Sequence, residues 1–96
     1  MKMLMITEQR NVDALIFMLA GALAGDWATE FNRCWRNATT VSRATRIIVD
    51  LTEVTFVDDL GRKALSQVMN DGGELIARDV LMKSIVEEIT AESSVA

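Results

Sequence analysis

The chain has 96 residues, half of them apolar, and a formal net charge of −4. A chain of this length forms one domain without disulfides, so we predict a single domain over residues 1–96 with a frayed tail from about residue 91. Histidine is absent, which excludes Ser-His-Asp and Cys-His catalysis. Because Cys34 is the only cysteine, a zinc site could use only one thiolate together with carboxylates. We therefore expect no enzyme activity, no cofactor and no bound metal.

The charge is unevenly distributed along the chain. Residues 1–48 carry six Lys/Arg and four Asp/Glu, whereas residues 49–96 carry four and ten. An acidic second half argues against nucleic-acid binding, because phosphate contacts require a basic face. It suits a protein partner with a basic surface.

The longest apolar stretch, residues 14–25, has twelve members, whereas a membrane-spanning helix takes about 20. The N-terminal segment turns polar after six residues and lacks the pattern of a signal peptide. A lone thiol is typical of a reducing compartment. We therefore expect no membrane insertion and a cytoplasmic location.

The first half of the chain predicts a β-hairpin followed by a helix. Residues 3–9 and 14–20 form two apolar strands joined by a short turn, and we expect an antiparallel hairpin that is buried on both faces. Gly21 and Gly25 bracket a predicted loop, and Asp26 is suited to cap the next helix. That helix has an apolar stripe at helical spacing, which we assign to the core: Trp27, Phe31, Cys34, Trp35 and Ala38.

The second half predicts alternating strands and helices. The β-branched run at 46–51 indicates a central strand. Residues 59–70 have the apolar spacing of a helix. The DGG segment at 71–73 is expected to end this helix, with a glycine at the C′ position. A strand over 73–78 and an amphipathic helix over 81–89 follow. The order ββαβαβα predicts an α/β fold, a four-stranded mixed sheet packed with three helices.

The segment VTFVDDLG places two carboxylates where a strand ends and a helix begins. At least one of Asp58 and Asp59 is expected to cap the helix, a contribution of about 1 kcal/mol. Asp58–Arg62 and Asp59–Lys63 are spaced as i, i+4 ion pairs that add a few tenths of a kcal/mol each. Gly61 costs up to ~1 kcal/mol relative to alanine in a first turn, which indicates either a close approach by another backbone or a partner, or a turn that needs a special φ.

Three segments, taken in order, resemble the STAS domain, the module of bacterial anti-sigma factor antagonists and of sulfate-transporter tails. LAGALAG resembles the strand-Gly-x-Leu turn of that family, and IIVDLTEVTFVDDLG resembles its central strand and Asp-Ser-x-Gly signature. GGELIA resembles the Gly-Gly strand after the second helix. The resemblance covers roughly residues 3–90 and implies the anti-sigma factor antagonist-like fold.

The resemblance also implies a partner and a site. Asp58 matches the signature acid, Asp59 the serine that is phosphorylated in many members, and Gly61 the signature glycine. In the family a kinase-like anti-sigma factor binds this surface, and phosphorylation of the serine ends the binding. We expect a non-catalytic, protein-binding regulator that lacks this phosphoswitch, with a recognition patch formed by Asp58, Asp59, Leu60, Gly61 and Arg62.

Several alternatives stay open at this point. Asp59 either mimics phosphoserine in part, with a charge of −1 against about −1.5 to −2, or serves a partner that does not read phosphorylation. The chain could instead be the STAS subunit of an ABC-type lipid transport complex, with an ATPase as its partner. A remote alternative is an Mg²⁺-dependent aspartyl phosphoacceptor, since paired acids at a strand end are typical of receiver domains. A homodimer is also open.

Overall fold

The structure, a computed structural model, describes residues 3–41 and 46–94. Within these residues the elements follow the predicted order ββαβαβα. They are β1 (Leu4–Arg10), β2 (Ala14–Leu23), α1 (Asp26–Val41), β3 (Arg46–Val57), α2 (Asp59–Asn70), β4 (Glu74–Ile76) and α3 (Val80–Ser94).

The strands form one mixed sheet in the order β1-β2-β3-β4. β1 pairs antiparallel with β2, whereas β3 is parallel to β2 and β4 is parallel to β3. Both β-α-β crossovers advance in the same direction, and right-handed crossovers therefore bring α1 and α2 to the same face. α2 contacts both α1 and α3, so the helices form one layer on the sheet. The predicted α/β architecture is confirmed.

The core lies between this helical layer and the sheet. Phe17 of β2 is fully buried and meets Phe31 of α1 edge to face, with ring centroids 6.0 Å apart. Trp35 is 1% exposed, and its indole N–H donates to the Asp71 carboxylate over 2.8 Å. The predicted core stripe of α1 is confirmed, although Trp27 lies at the margin of the core and is only partly buried.

Cys34 also packs against the margin of the core. Burial raises the pKa of its thiol, which keeps the sulfur protonated and therefore a poor nucleophile. The expected packing role of this cysteine is thus consistent with its surroundings.

The hairpin is covered on one face only, so the prediction that both faces are buried is wrong. Met5 is 68% exposed and Met18 is 38% exposed, both on the face opposite the helices. Both crossovers place their helices on one side and α3 contacts α2 there, so no helix in the described part of the chain covers the other side. Apolar side chains on both faces of a strand do not reveal which face a helix covers.

β2 is longer than predicted, because Gly21 belongs to the strand and not to a loop. Gly21 has a φ of +103°, and a Cβ atom there would lie 2.1 Å from the Met3 carbonyl oxygen. The β2–β3 register shifts beside it, so the glycine marks a bulge through which the strand continues to Leu23. β3 correspondingly extends past residue 51 to Val57. Asp26 is the first residue of α1 and does not precede it as a cap.

The elements after β3 follow the predictions closely. α2 has the predicted bounds, Asp71 is its C-cap, and Gly72 adopts a φ of +86° at the C′ position. β4 has three residues and is shorter than predicted. α3 continues to Ser94, beyond the start of the predicted tail, whose last two residues lie outside the described part of the chain. No helix among the described residues is long and apolar enough to cross a membrane.

Candidate functional site

Asp58 connects two turns at the carboxyl ends of β2 and β3. It precedes α2 in an extended conformation, and its Oδ1 accepts a hydrogen bond from the Gly61 N–H over 2.8 Å. This confirms the predicted N-cap. Its Oδ2 accepts a second bond, over 2.9 Å, from the Gly25 N–H in the turn between β2 and α1. One carboxylate therefore holds the starts of α1 and α2 in a common arrangement.

Both hydrogen bonds are stronger to the charged form of the carboxyl group than to the neutral form. The Gly61 N–H, assisted by the Gly25 N–H, holds the pKa of Asp58 below its ordinary value of 3.8. Because this pKa is lower in the folded than in the unfolded chain, the carboxylate stabilises the fold fully above the unfolded-state pKa. That contribution disappears as the pH falls through the folded-state pKa.

We predict that the stability difference between wild type and Asp58→Asn depends on pH. Urea denaturation is expected to give a constant difference in unfolding free energy from pH 7 to about pH 5, and a shrinking difference below about pH 4. The amide cannot titrate, so it serves as the matched control. A difference that stays constant down to pH 3 would contradict the assignment of the stabilising bonds to the Asp58 carboxylate.

Gly61 is buried because the first turn of α2 rests on the end of β2. A Cβ atom at this position would lie 2.1 Å from the Leu23 carbonyl oxygen and 2.8 Å from Cγ1 of Val57. The Asp58 N–H donates to the same Leu23 carbonyl over 3.3 Å. The close approach predicted from the sequence is thus an approach by the chain's own backbone.

Asp59 and Leu60 form the exposed part of the junction. They are the first two residues of α2, and the Leu60 side chain is 48% exposed, which leaves an apolar group open to solvent beside Asp59. Asp59 is exposed at the helix N-terminus, where the helix dipole favours a negative charge. It forms no ion pair with any other residue that the structure describes.

Arg62 faces α3, which overturns the i, i+4 ion pairs predicted at this junction. Its guanidinium lies 2.8 Å from the Glu88 carboxylate and 3.6 Å from that of Glu92. Asp58 is already occupied by two backbone donors, and this leaves Arg62 to the acids of the neighbouring helix. Lys63 likewise forms no ion pair with Asp59 in the described ranges. Arg62, one of the five predicted site residues, therefore stabilises the contact between α2 and α3.

Shallow grooves flank α2 on both sides of this junction. The groove toward α3 measures about 370 Å³ and is polar; its lining is Asp59, Arg62, Lys63, Ser66, Gln67, Asn70 and Glu92. The groove toward α1 measures about 240 Å³ and is lined by Ala28, Thr29, Asn32, Leu60, Lys63, Ala64 and Gln67. Asn32 Oδ1 is buried there and accepts no hydrogen bond from the described residues.

The sequence did not indicate Gly25, Leu23 or Asn32 as parts of this region. Gly25 and Leu23 contribute backbone groups, which carry no residue-specific signal. Asn32 differs from an ordinary surface asparagine only through its position against α2.

The described residues contain no group of three or more His, Cys, Asp or Glu side chains placed to hold a metal ion.

The model of the STAS domain family matches residues 4–91. No curated protein sequence matches the chain significantly. Among solved structures, the fold is similar to that of an anti-sigma factor antagonist from Mycobacterium paratuberculosis, with a TM-score of 0.78 and 13% sequence identity over 96% of this chain and 82% of that one. It is also similar to part of Mglu, with a TM-score of 0.56 and 20% identity over 76% of this chain and 19% of that one.

Proposed function

The chain belongs to the STAS domain family, and from that premise we propose that it is a non-catalytic regulator that binds a protein partner through the N-terminus of α2. The proposed contact surface consists of Asp59 and Leu60. Asp58 and Gly61 hold this surface in place. The setting we propose is a cytoplasmic regulatory pathway of a bacterium, with a kinase-like anti-sigma factor as the partner.

The observation that carries the proposal is the contrast between the two adjacent acids. Asp58 directs both carboxylate oxygens to backbone donors, while Asp59 and Leu60 are exposed directly beside it. A charged and an apolar side chain on a helix start that Asp58 holds in place form a preorganised recognition surface, which lowers the ordering cost of binding. The absence of histidine and tyrosine from the sequence leaves few groups for acid–base chemistry.

Asp59 stands where many members of the family have a phosphorylated serine, and we propose that the usual switch is therefore missing. A carboxylate cannot accept phosphate as a serine hydroxyl does, and it carries a smaller charge than phosphoserine. Asp59→Ser would restore the hydroxyl. If Asp59 acts as a partial phosphoserine mimic, the serine variant should bind the partner more tightly than wild type. If the partner does not read phosphorylation, the two should bind alike.

We predict that affinity capture from a lysate of the source organism retains a protein with wild type and loses it with Asp59→Arg. The reversed charge opposes a basic partner surface, and a disrupted central contact typically costs 2 kcal/mol or more, about thirtyfold in affinity. Glu53→Arg, the same charge change at an exposed position of β3, is the control and should retain the partner.

The identity of the captured protein decides the biological setting. A kinase-like regulator supports the sigma-factor pathway, and its ability to phosphorylate Asp59→Ser would connect this surface to the switch of the family. A transporter ATPase would support the lipid-transport setting instead. Partners that survive Asp59→Arg unchanged would contradict the proposed surface.

A further inference from the structure

β1 forms a free edge of the sheet. The Ala22 N–H donates to the Met3 carbonyl over 2.9 Å, and the Asn11 N–H donates to the Ala14 carbonyl over 2.8 Å. The odd-numbered residues of β1 thus direct their backbone groups toward β2. Because these groups alternate along an antiparallel strand, the even-numbered residues present theirs to the open edge. These residues are Leu4, Ile6, Glu8 and Arg10.

Apart from two charged side chains, Glu8 and Arg10, this edge lacks the features by which edge strands usually avoid pairing. The sequence contains no proline, β1 contains no lysine, and its register with β2 runs from Leu4 to Arg10 without a bulge. An edge strand of seven residues without proline, lysine or a bulge is a template for another strand whose charges complement its own. The adjoining sheet face exposes Met5 and Met18, which adds apolar surface beside the edge.

The charges of β1 suit a second copy of the same strand. Glu8 and Arg10 are exposed, and neither forms an ion pair with another described residue. A two-fold axis at Gln9 pairs even-numbered residues with even-numbered residues and sets Glu8 of each copy opposite Arg10 of the other.

Other two-fold registers of this edge lack that complementarity. An axis at Glu8 sets this carboxylate opposite its own copy, which is repulsive. An axis at Thr7 sets the charged Glu8 opposite the apolar Ile6. Only the axis at Gln9 joins opposite charges twice, once on each side of the axis.

We propose that β1 pairs antiparallel with β1 of a second copy about a two-fold axis at Gln9, so that the two sheets become continuous. Glu8–Arg10 ion pairs on either side of the axis select this register. The overlap is short, and the dimer is therefore weak and dependent on concentration and ionic strength. Glu8 and Arg10 pair with residues in the first half of β2, whereas the candidate site lies at its last residues. The dimer consequently leaves the α2 surface open to a partner.

Sedimentation velocity of the purified chain at low salt, up to about 0.5 mM, tests this interface, because a contact of this size associates only at high concentration. Wild type is expected to dimerise. Glu8→Arg and Arg10→Glu each place like charges across the axis, and each should raise the dimer dissociation constant about tenfold. The double exchange Glu8→Arg with Arg10→Glu recreates both ion pairs with their signs reversed, and it should return the constant to within about threefold of wild type.

Two controls repeat the charge changes on α3. Glu87→Arg and Lys83→Glu alter exposed residues and should dimerise like wild type. A chain that stays monomeric over the whole concentration range would overturn the proposal. So would single exchanges without effect, or a double exchange that remains as weak as the single ones. Since α2 takes no part, the result is independent of the partner-binding proposal.

Discussion

Gly61→Ala is expected to lower the free energy of unfolding by about 2–3 kcal/mol, as overpacked substitutions in tight contacts do. The added Cβ would lie 2.1 Å from the Leu23 carbonyl oxygen, so either α2 or the end of β2 must move. Helix propensity alone predicts the opposite sign, a gain of about 1 kcal/mol for alanine within a helix. Urea denaturation of the variant therefore separates the close backbone approach from propensity.

Lys63→Ala is the matched control for this prediction. Lys63 is exposed two residues further along α2, and its truncation should change the unfolding free energy by less than about 0.5 kcal/mol. A Gly61→Ala variant as stable as wild type would contradict the packing of α2 against Leu23. Partner binding should fall together with stability, because the same displacement moves the start of α2.

Asp58→Ala is expected to lower the free energy of unfolding by about 2–3 kcal/mol, since it removes an N-cap and a second charge-assisted hydrogen bond. The Gly61 and Gly25 amides lose their acceptor, and their hydrogen exchange should accelerate. Chemical denaturation gives the first quantity and amide exchange followed by NMR gives the second.

Two variants test whether the effect belongs to this particular acid. Asp58→Asn keeps one carbonyl oxygen and should lose about half as much stability, because one oxygen serves one of the two donors well. Asp59→Ala should lose only a few tenths of a kcal/mol, the value of an exposed charge near a helix N-terminus. Equal losses at positions 58 and 59 would contradict the different roles assigned to the two acids.

The fold was predictable because hydrophobic periodicity and turn residues agree along most of the chain. The α1 stripe has helical spacing, and the β-branched residues of the short apolar run in β3 favour a strand. Two right-handed crossovers then determine the sheet order. The extension of β2 was not predictable, because a glycine in a bulge and a glycine in a loop look alike in a sequence. Gly21 is such a residue.

The candidate site was predictable in its position and less so in its contacts. The cap at Asp58 follows from a local rule that relates residues three apart. Its second bond joins residues 33 apart and depends on the packing of two turns, which no local pattern contains. The partners of Arg62 were missed for the same reason. The local pattern offers Asp58, four residues earlier, whereas only the tertiary structure brings the acids of α3 near Arg62.

The central claim is that Asp59 and Leu60 contact the partner while Asp58 and Gly61 hold the surface in place. The most direct measurement is a calorimetric titration of the captured, purified partner with wild type, Asp59→Arg and Glu53→Arg, accompanied by the unfolding free energy of each protein. We predict that Asp59→Arg weakens binding at least about thirtyfold while its unfolding free energy falls by no more than about 1 kcal/mol, the value of reversing a charge at a helix N-terminus, and that Glu53→Arg binds as wild type does. Equal affinity of all three proteins would contradict the claim.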